Sequence, residues 1–393
     1  MTYTEESHML DAGLLGHLEG LTISSNNDPA LHYFGGLPYA LPPTGPYRFL
    51  PPRKLPPGYT YGTKESSGQH TSGSKICPQP PSRLPLPSSL FDEDCLQLNI
   101  WTPTGEAPKD GWPVFFYLHG GFLQWGTANW KRSSLMPLLG ESAFRAIVVL
   151  PAYRLNAFGF LTGKVFAEER STDGAIFGNM GLWDQRTALE WVHSNITNFA
   201  GDPDNITVAG YSAGAYSTFH QLAHELYRVP AEERIIKRVI MLSNGPGLRP
   251  KTLSEHQAQF DEFVDKLGIP SDLENSAKLA RLRELPFERL VDVQQKMKIS
   301  EFRPVADGRF YPDDLFSRIN DGHFARRMQE RGITILSGEC RDEHTVYRNW
   351  RTPENSFDSL RIRLYAEYPQ EDVDKILRHY CGSEEELPSH CKD

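Results

Sequence analysis

Between Pro113 and Asn244 the chain alternates short apolar runs with helical stretches, and this restricts the fold more than any other feature. The runs VFFYLH, AIVVLPAYR, ITVAGYS and IIKRVIMLSN have the pattern of strands covered on both faces. In MGLWDQRTALEWVHSNITNF, Leu182, Leu189, Val192, Ile196 and Phe199 recur at three-, four- and seven-residue steps and form one apolar helical stripe. Strand and helix in alternation predict an α/β fold with a mostly parallel central sheet, helices on both faces, and ligands bound beyond the carboxyl ends of the strands. One domain over residues 1–393 is expected. DEFVDKLGI, AKLARLRELP and LVDVQQKMK suggest a helical cap inserted at about 251–302, after which ITILSGE returns to strand. The proline-rich stretches LPYALPPTGPYRFLPPRKL and PQPPSRLPLPSS should run extended over a surface.

Charge narrows the partners. Lys and Arg total 41 against 50 Asp and Glu, a net charge of −9, with no basic block. Nucleic acid and anionic membrane surfaces are therefore not expected, and a small molecule is. No apolar run reaches membrane-spanning length and MTYTEESHMLDAG has no signal-peptide pattern, so the expected compartment is the cytoplasm. The sequons at Asn195 and Asn205 then read as chance occurrences. Five scattered cysteines offer neither a disulfide scaffold nor a CxxC metal site. His220 and His224 stand four apart in HQLAH, but the glutamate of HExxH and a third ligand are missing; they read as helix-surface histidines, and no metal or cofactor is expected.

The sharpest local signal is GYSAG, Gly210–Gly214, which fits GxSxG. A serine that protrudes from a tight strand-to-helix turn takes strained backbone angles, and glycines two positions either side remove the collisions that side chains would make. The motif follows the strand-like ITVA and precedes the helix-like AYSTFHQLAHEL, the context a nucleophile needs. The competing reading is an ordinary turn with a helix-capping serine. Upstream, VFFYLHGGF places a glycine turn after a strand, a source of backbone N–H groups for a developing oxyanion.

With these elements in order, the sequence resembles the type-B carboxylesterases, the cholinesterase-like branch of the α/β-hydrolase family. FGGLPYALPPTGPYRFLPP, EDCLQLNIWTP, AYRLNAFGFL, DQRTALEWVHSNITNFAGDPDNITVAGYSAG and GECRDEHTVY are similar to successive family blocks. The resemblance implies hydrolysis of carboxylic esters through an acyl-enzyme intermediate. It makes Ser212 the nucleophile, Glu343 the acid of the triad, and Gly121, Phe122 and Ala213 the donors of the oxyanion hole. It also implies that Cys77 and Cys95, which match the family's first disulfide loop, lie close together.

Four departures from the family pattern stand out. Tyr211 replaces the usual glutamate before the serine, and Phe122 occupies the third position of the glycine triplet. The stretch between Cys77 and Cys95 lacks tryptophan, which disfavours a choline ester. The base must follow Glu343, where His344 adjoins the acid, His379 sits in a helical pattern and His390 stands near the terminus; His390 is taken as the base. The family histidine lies much further on, so the chain is expected to lack a C-terminal part. The alternative function is an inactive or truncated carboxylesterase-like binding module.

Overall fold

Among the described residues, twelve strands run in chain order as β1 (Tyr3–Asp11), β2 (His17–Ser25), β3 (Asp28–Pro38), β4 (Ala40–Leu41), β5 (Arg53–Lys54), β6 (Gly68–Gln69), β7 (Gln97–Pro103), β8 (Trp112–Leu118), β9 (Ile147–Pro151), β10 (Gly201–Tyr211), β11 (Ile236–Leu242) and β12 (Thr334–Gly338). The structure is a computed structural model and describes residues 3–81, 86–140, 142–169, 177–349, 352–382 and 386–387. The main sheet has the order β1-β2-β3-β7-β9-β8-β10-β11-β12, with β6 beside β2. From β9 to β12 every pairing is parallel, and the N-terminal strands extend the sheet with antiparallel pairings. The parallel part contains the apolar runs read from the sequence. β1 is largely exposed, and its sequence YTEESHMLD carries no apolar alternation to announce a strand.

Helices Met180–Asn195 and Ala213–Tyr227 cover the parallel part. Buried ion pairs fix them. Arg154 donates from Nε and Nη2 to both carboxylate oxygens of Asp184, each at 2.8 Å, and Arg186 donates to Glu225 at 2.6 Å. Residues 251–302 hold three helices, Leu253–Lys266, Asn275–Glu284 and Phe287–Gln294. The proline-rich stretch 37–55 contributes the end of β3, the two-residue β4 and β5, and one 3-10 turn at Gly45–Tyr47, whereas residues 82–85 of the second such stretch lie outside the described residues. No described helix is long and apolar enough to cross a membrane.

One expectation is corrected. His220 and His224 are not surface histidines: their exposures are 0% and 7%, because residues 213–226 of their helix are buried on every side. His220 stacks on Tyr311 and meets Tyr216 edge-on. His224 donates from Nδ1 to the Phe310 carbonyl at 2.8 Å. Among the described residues no cluster of His, Cys, Asp or Glu is arranged to hold a metal.

Candidate active site

β8 and β10 are parallel neighbours with Gly210 opposite Leu118, so the GYSAG and HGGF turns leave the sheet side by side. Ser212 joins β10 to the helix Ala213–Tyr227 with φ 56° and ψ −123°, a conformation costly for a residue with a side chain. Both glycines of the motif are needed. A Cβ on Gly210 would stand 2.2 Å from the Gly214 carbonyl, and one on Gly214 would stand 1.9 Å from the Leu118 oxygen. Ser212 makes no side-chain hydrogen bond that caps its helix. Its backbone N–H donates to the Leu242 carbonyl at 2.8 Å, tying the turn to β11.

The glycine turn after β8 is held by its carbonyls. Gly120 oxygen accepts from His119 Nδ1 at 2.8 Å, which fixes the proton on that nitrogen. Gly121 oxygen accepts from the N–H groups of Gln124 and Trp125 at 2.9 and 3.1 Å. Phe122 oxygen accepts from Gln124 Nε2 at 3.1 Å and from Arg303 Nη1. Gly121 has φ +114°, and a Cβ there would meet the Trp125 oxygen at 1.8 Å. Phe122 itself has φ +56°, in the left-handed region that glycine would occupy without strain. A Cβ on Gly120 would come within 3.2 Å of Ser212 Cβ, so the two turns touch. Ala213 begins the helix, and its N–H is one of those with no intrahelical acceptor.

Glu343 lies beyond the carboxyl end of β12, two strands from β10, roughly 10 Å across the sheet at the usual strand spacing. It is half-buried and accepts from the Cys340 N–H at 2.8 Å. His344 and His379 are exposed, and His390 lies outside the described residues. Among the described residues no histidine is hydrogen-bonded to Ser212. His119, beneath the glycine turn, is held neutral, because burial lowers its pKa to about 4. Cys77 and Cys95 are both buried and unbridged, and the Cys77 thiol beside it, together with burial, pushes the Cys95 pKa up. Tyr211 is 45% exposed.

A cavity of about 100 Å³ opens beside Ser212, lined by Phe122, Leu123, Tyr216, Lys251 and Arg303 among others. Arg303 is buried and connects two parts of the molecule. Besides Phe122, it donates from Nη2 to Glu367 at 2.7 Å, and Glu367 also accepts from Arg363 at 3.0 Å. Sequence reasoning missed Lys251, Arg303 and Glu367. They belong to no motif and reach the serine only through folding.

A strained serine at the end of a central parallel strand, beside a glycine turn, defines an α/β-hydrolase. The chain belongs to the carboxylesterase family, which it matches over residues 7–385, and it is an enzyme of the ester-hydrolase class. A carboxylic ester hydrolase of Gibberella moniliformis is 58% identical over 386 residues, 98% of this chain and 71% of that protein. The para-nitrobenzyl esterase of Bacillus subtilis is 31% identical over 96% of this chain and 68% of its own length. A solved PNB esterase structure superposes with a TM-score of 0.72 at 29% identity, covering 96% of this chain and 72% of that one.

Proposed function

We propose that this chain hydrolyses small carboxylic esters through an acyl-enzyme intermediate on Ser212. The observation that carries the reading is the left-handed, non-capping Ser212 in contact with the glycine turn. Ser212 Oγ attacks the ester carbonyl while a histidine takes its proton, and the N–H groups of Gly121, Phe122 and Ala213 receive the oxyanion. The alcohol leaves with that proton. Water, deprotonated by the same base, then attacks the acyl carbon and frees Ser212. Glu343 orients the base and stabilises its protonated form. His390 fills the role of base in this reading, and His390→Ala should abolish 4-nitrophenyl ester hydrolysis; undiminished turnover would remove it from the mechanism.

A fluorophosphonate probe tests the nucleophile directly. Stoichiometric labelling that disappears in Ser212→Ala is the expected result. Labelling of the wild type no greater than that of the variant would favour the inactive, binding-module alternative.

Phe122 gives a second test. Holding a phenylalanine in the left-handed region costs about 1–2 kcal/mol relative to a relaxed backbone, and the donors Gln124 and Arg303 on its carbonyl offset that cost. Arg303 thereby acts as a positioning residue for the Phe122 N–H. Arg303→Met should lower kcat by roughly ten- to a hundredfold with little change in KM, the penalty of a displaced donor. In a Phe122→Gly background the same substitution should cost much less, since glycine adopts this conformation unaided. Equal penalties in the two backgrounds would show that Arg303 does not act through Phe122.

A further inference from the structure

The cavity beside Ser212 is unusually cationic for a site that takes neutral esters. Arg249, Lys251 and Arg303 line it, against a single carboxylate, Glu367. Each charge has a traceable partner set. Arg249 is partly exposed and pairs with Glu371 and Asp372 at 3.5 and 3.2 Å. Glu367 is shared between Arg303 and Arg363, so its charge is matched before any ligand arrives. Two buried cations then border an enclosure that also includes Leu123, Leu248, Pro250 and Pro304, and Lys251 stands between it and a second cavity lined by Tyr365 and Glu255.

Both cations keep unused donors. Arg303 uses Nη1 on the Phe122 carbonyl and Nη2 on Glu367, while its Nε is buried with no hydrogen-bond partner. Lys251 is 5% exposed; its Nζ donates to the Tyr365 carbonyl and sits 4.3 Å from that ring's centroid. An ammonium carries three donors, so two remain for a ligand. The carboxylates around Lys251 are Glu255, Glu301 and Glu367, of which Glu367 is held by Arg303 and Arg363 and Glu301 accepts from Ser300 Oγ at 3.4 Å. Glu255 accepts from Thr252 and from the Gln370 N–H. Burial accordingly outweighs them and lowers the Lys251 pKa to about 8. A neutral substrate would leave these buried donors unmet, whereas a carboxylate would satisfy them with charge-assisted hydrogen bonds.

From these contacts we infer that the enzyme is selective for esters that carry a carboxylate, such as hemiesters of short dicarboxylic acids. This rests on Ser212 being the nucleophile. The reaction is the same hydrolysis: the acyl carbon–oxygen bond breaks, water supplies the hydroxyl, and a hemiester yields a dicarboxylate and an alcohol. Lys251, with Arg303 beside it, holds the remote carboxylate while the ester carbonyl lies at Ser212.

The test compares matched pairs with the wild-type enzyme. For a carboxylate on the acyl side the pair is the 4-nitrophenyl hemiester of glutaric acid against 4-nitrophenyl valerate; on the alcohol side it is 4-acetoxybenzoate against its methyl ester. The charged member of one pair should have a kcat/KM about tenfold higher or more, the equivalent of one charge-assisted hydrogen bond, and that pair identifies the side that enters the cavity. Lys251→Met should remove the preference, read as the ratio of kcat/KM within that pair, and Lys251→Arg should retain part of it. Ser212-dependent turnover with the neutral member preferred in both pairs would overturn this inference alone, whatever the fate of the variants. Absence of Ser212-dependent turnover on all four substrates would overturn the esterase reading and this inference with it.

Discussion

Replacing Ser212 with alanine should lower kcat for 4-nitrophenyl esters by about six orders of magnitude, and replacing Glu343 with glutamine by about four. The two losses have different origins. Without the serine hydroxyl no acyl-enzyme forms, and what remains is the modest effect of a bound oxyanion site on attack by water. Glu343→Gln keeps the shape of the side chain, and its amide oxygen can still accept from the Cys340 N–H that Glu343 binds at 2.8 Å. Its loss therefore reports the missing negative charge beside the base, with the β12 turn intact. The double variant should be no worse than Ser212→Ala, because a triad acts as a unit. Active-site titration on purified protein, with circular dichroism to confirm the fold, separates the cases. Near-wild-type kcat in Glu343→Gln would mean that the orienting carboxylate lies elsewhere; the same result in Ser212→Ala would remove the acyl-enzyme mechanism altogether.

The parts of this site that were legible in the sequence are those whose requirements are local. Gly210 and Gly214 are demanded by atoms within four residues or on the adjacent β8, so their spacing around Ser212 is visible in the chain itself. The HGGF turn is legible for the same reason, since it follows directly on the apolar run of β8. Arg303 is not: its contact with Phe122 spans 181 residues and depends on how the segment after the three helices of 251–302 returns over the glycine turn. Lys251 and Glu367 reach the same cavity from separate elements, and neither stands in a motif. The histidine pair failed for another reason. An i, i+4 spacing says that His220 and His224 share a face, but a helix buried on all sides has no solvent face to offer them. The sheet's antiparallel part was missed because strands such as β1 are polar on both faces and give no period-two signal.

That burial has a consequence for acid stability, and the second large effect is expected there. Four of the buried histidines, His119, His220, His224 and His256, have pKa values that burial holds down at about 4, 3, 3 and 4. In the unfolded chain each titrates near 6.5. A histidine with a depressed folded pKa contributes stability that is complete above pH 6.5 and is lost as the pH falls toward its folded value. Between pH 6.5 and 4 the unfolded state thus gains protons that the native state refuses, at about 1.4 kcal/mol per pH unit for each fully shifted group. Four together give on the order of 5 kcal/mol per pH unit, against a total stability of about 5–15 kcal/mol for a typical protein. Asp307 works in the opposite direction, because burial raises its pKa to about 6 and its contribution grows as the pH falls from 6 to 3.8; one group offsets one histidine at most. Carboxylates with lowered pKa values, such as Glu367, begin to lose their contribution only below about pH 4.5 and leave the upper window to the histidines. Thermal unfolding at a fixed scan rate should therefore show Tm falling by roughly 10 °C or more between pH 7 and 5. His220→Phe removes one titrating group and two buried ring nitrogens that have no hydrogen-bond partner, while keeping an aromatic ring among Tyr216, Phe219 and Tyr311. The variant should match or exceed the wild type at pH 7, and the slope of its stability against pH should be shallower by about one proton. A flat wild-type profile between pH 6.5 and 5, or an unchanged slope in His220→Phe, would show that these histidines find protons in the native state.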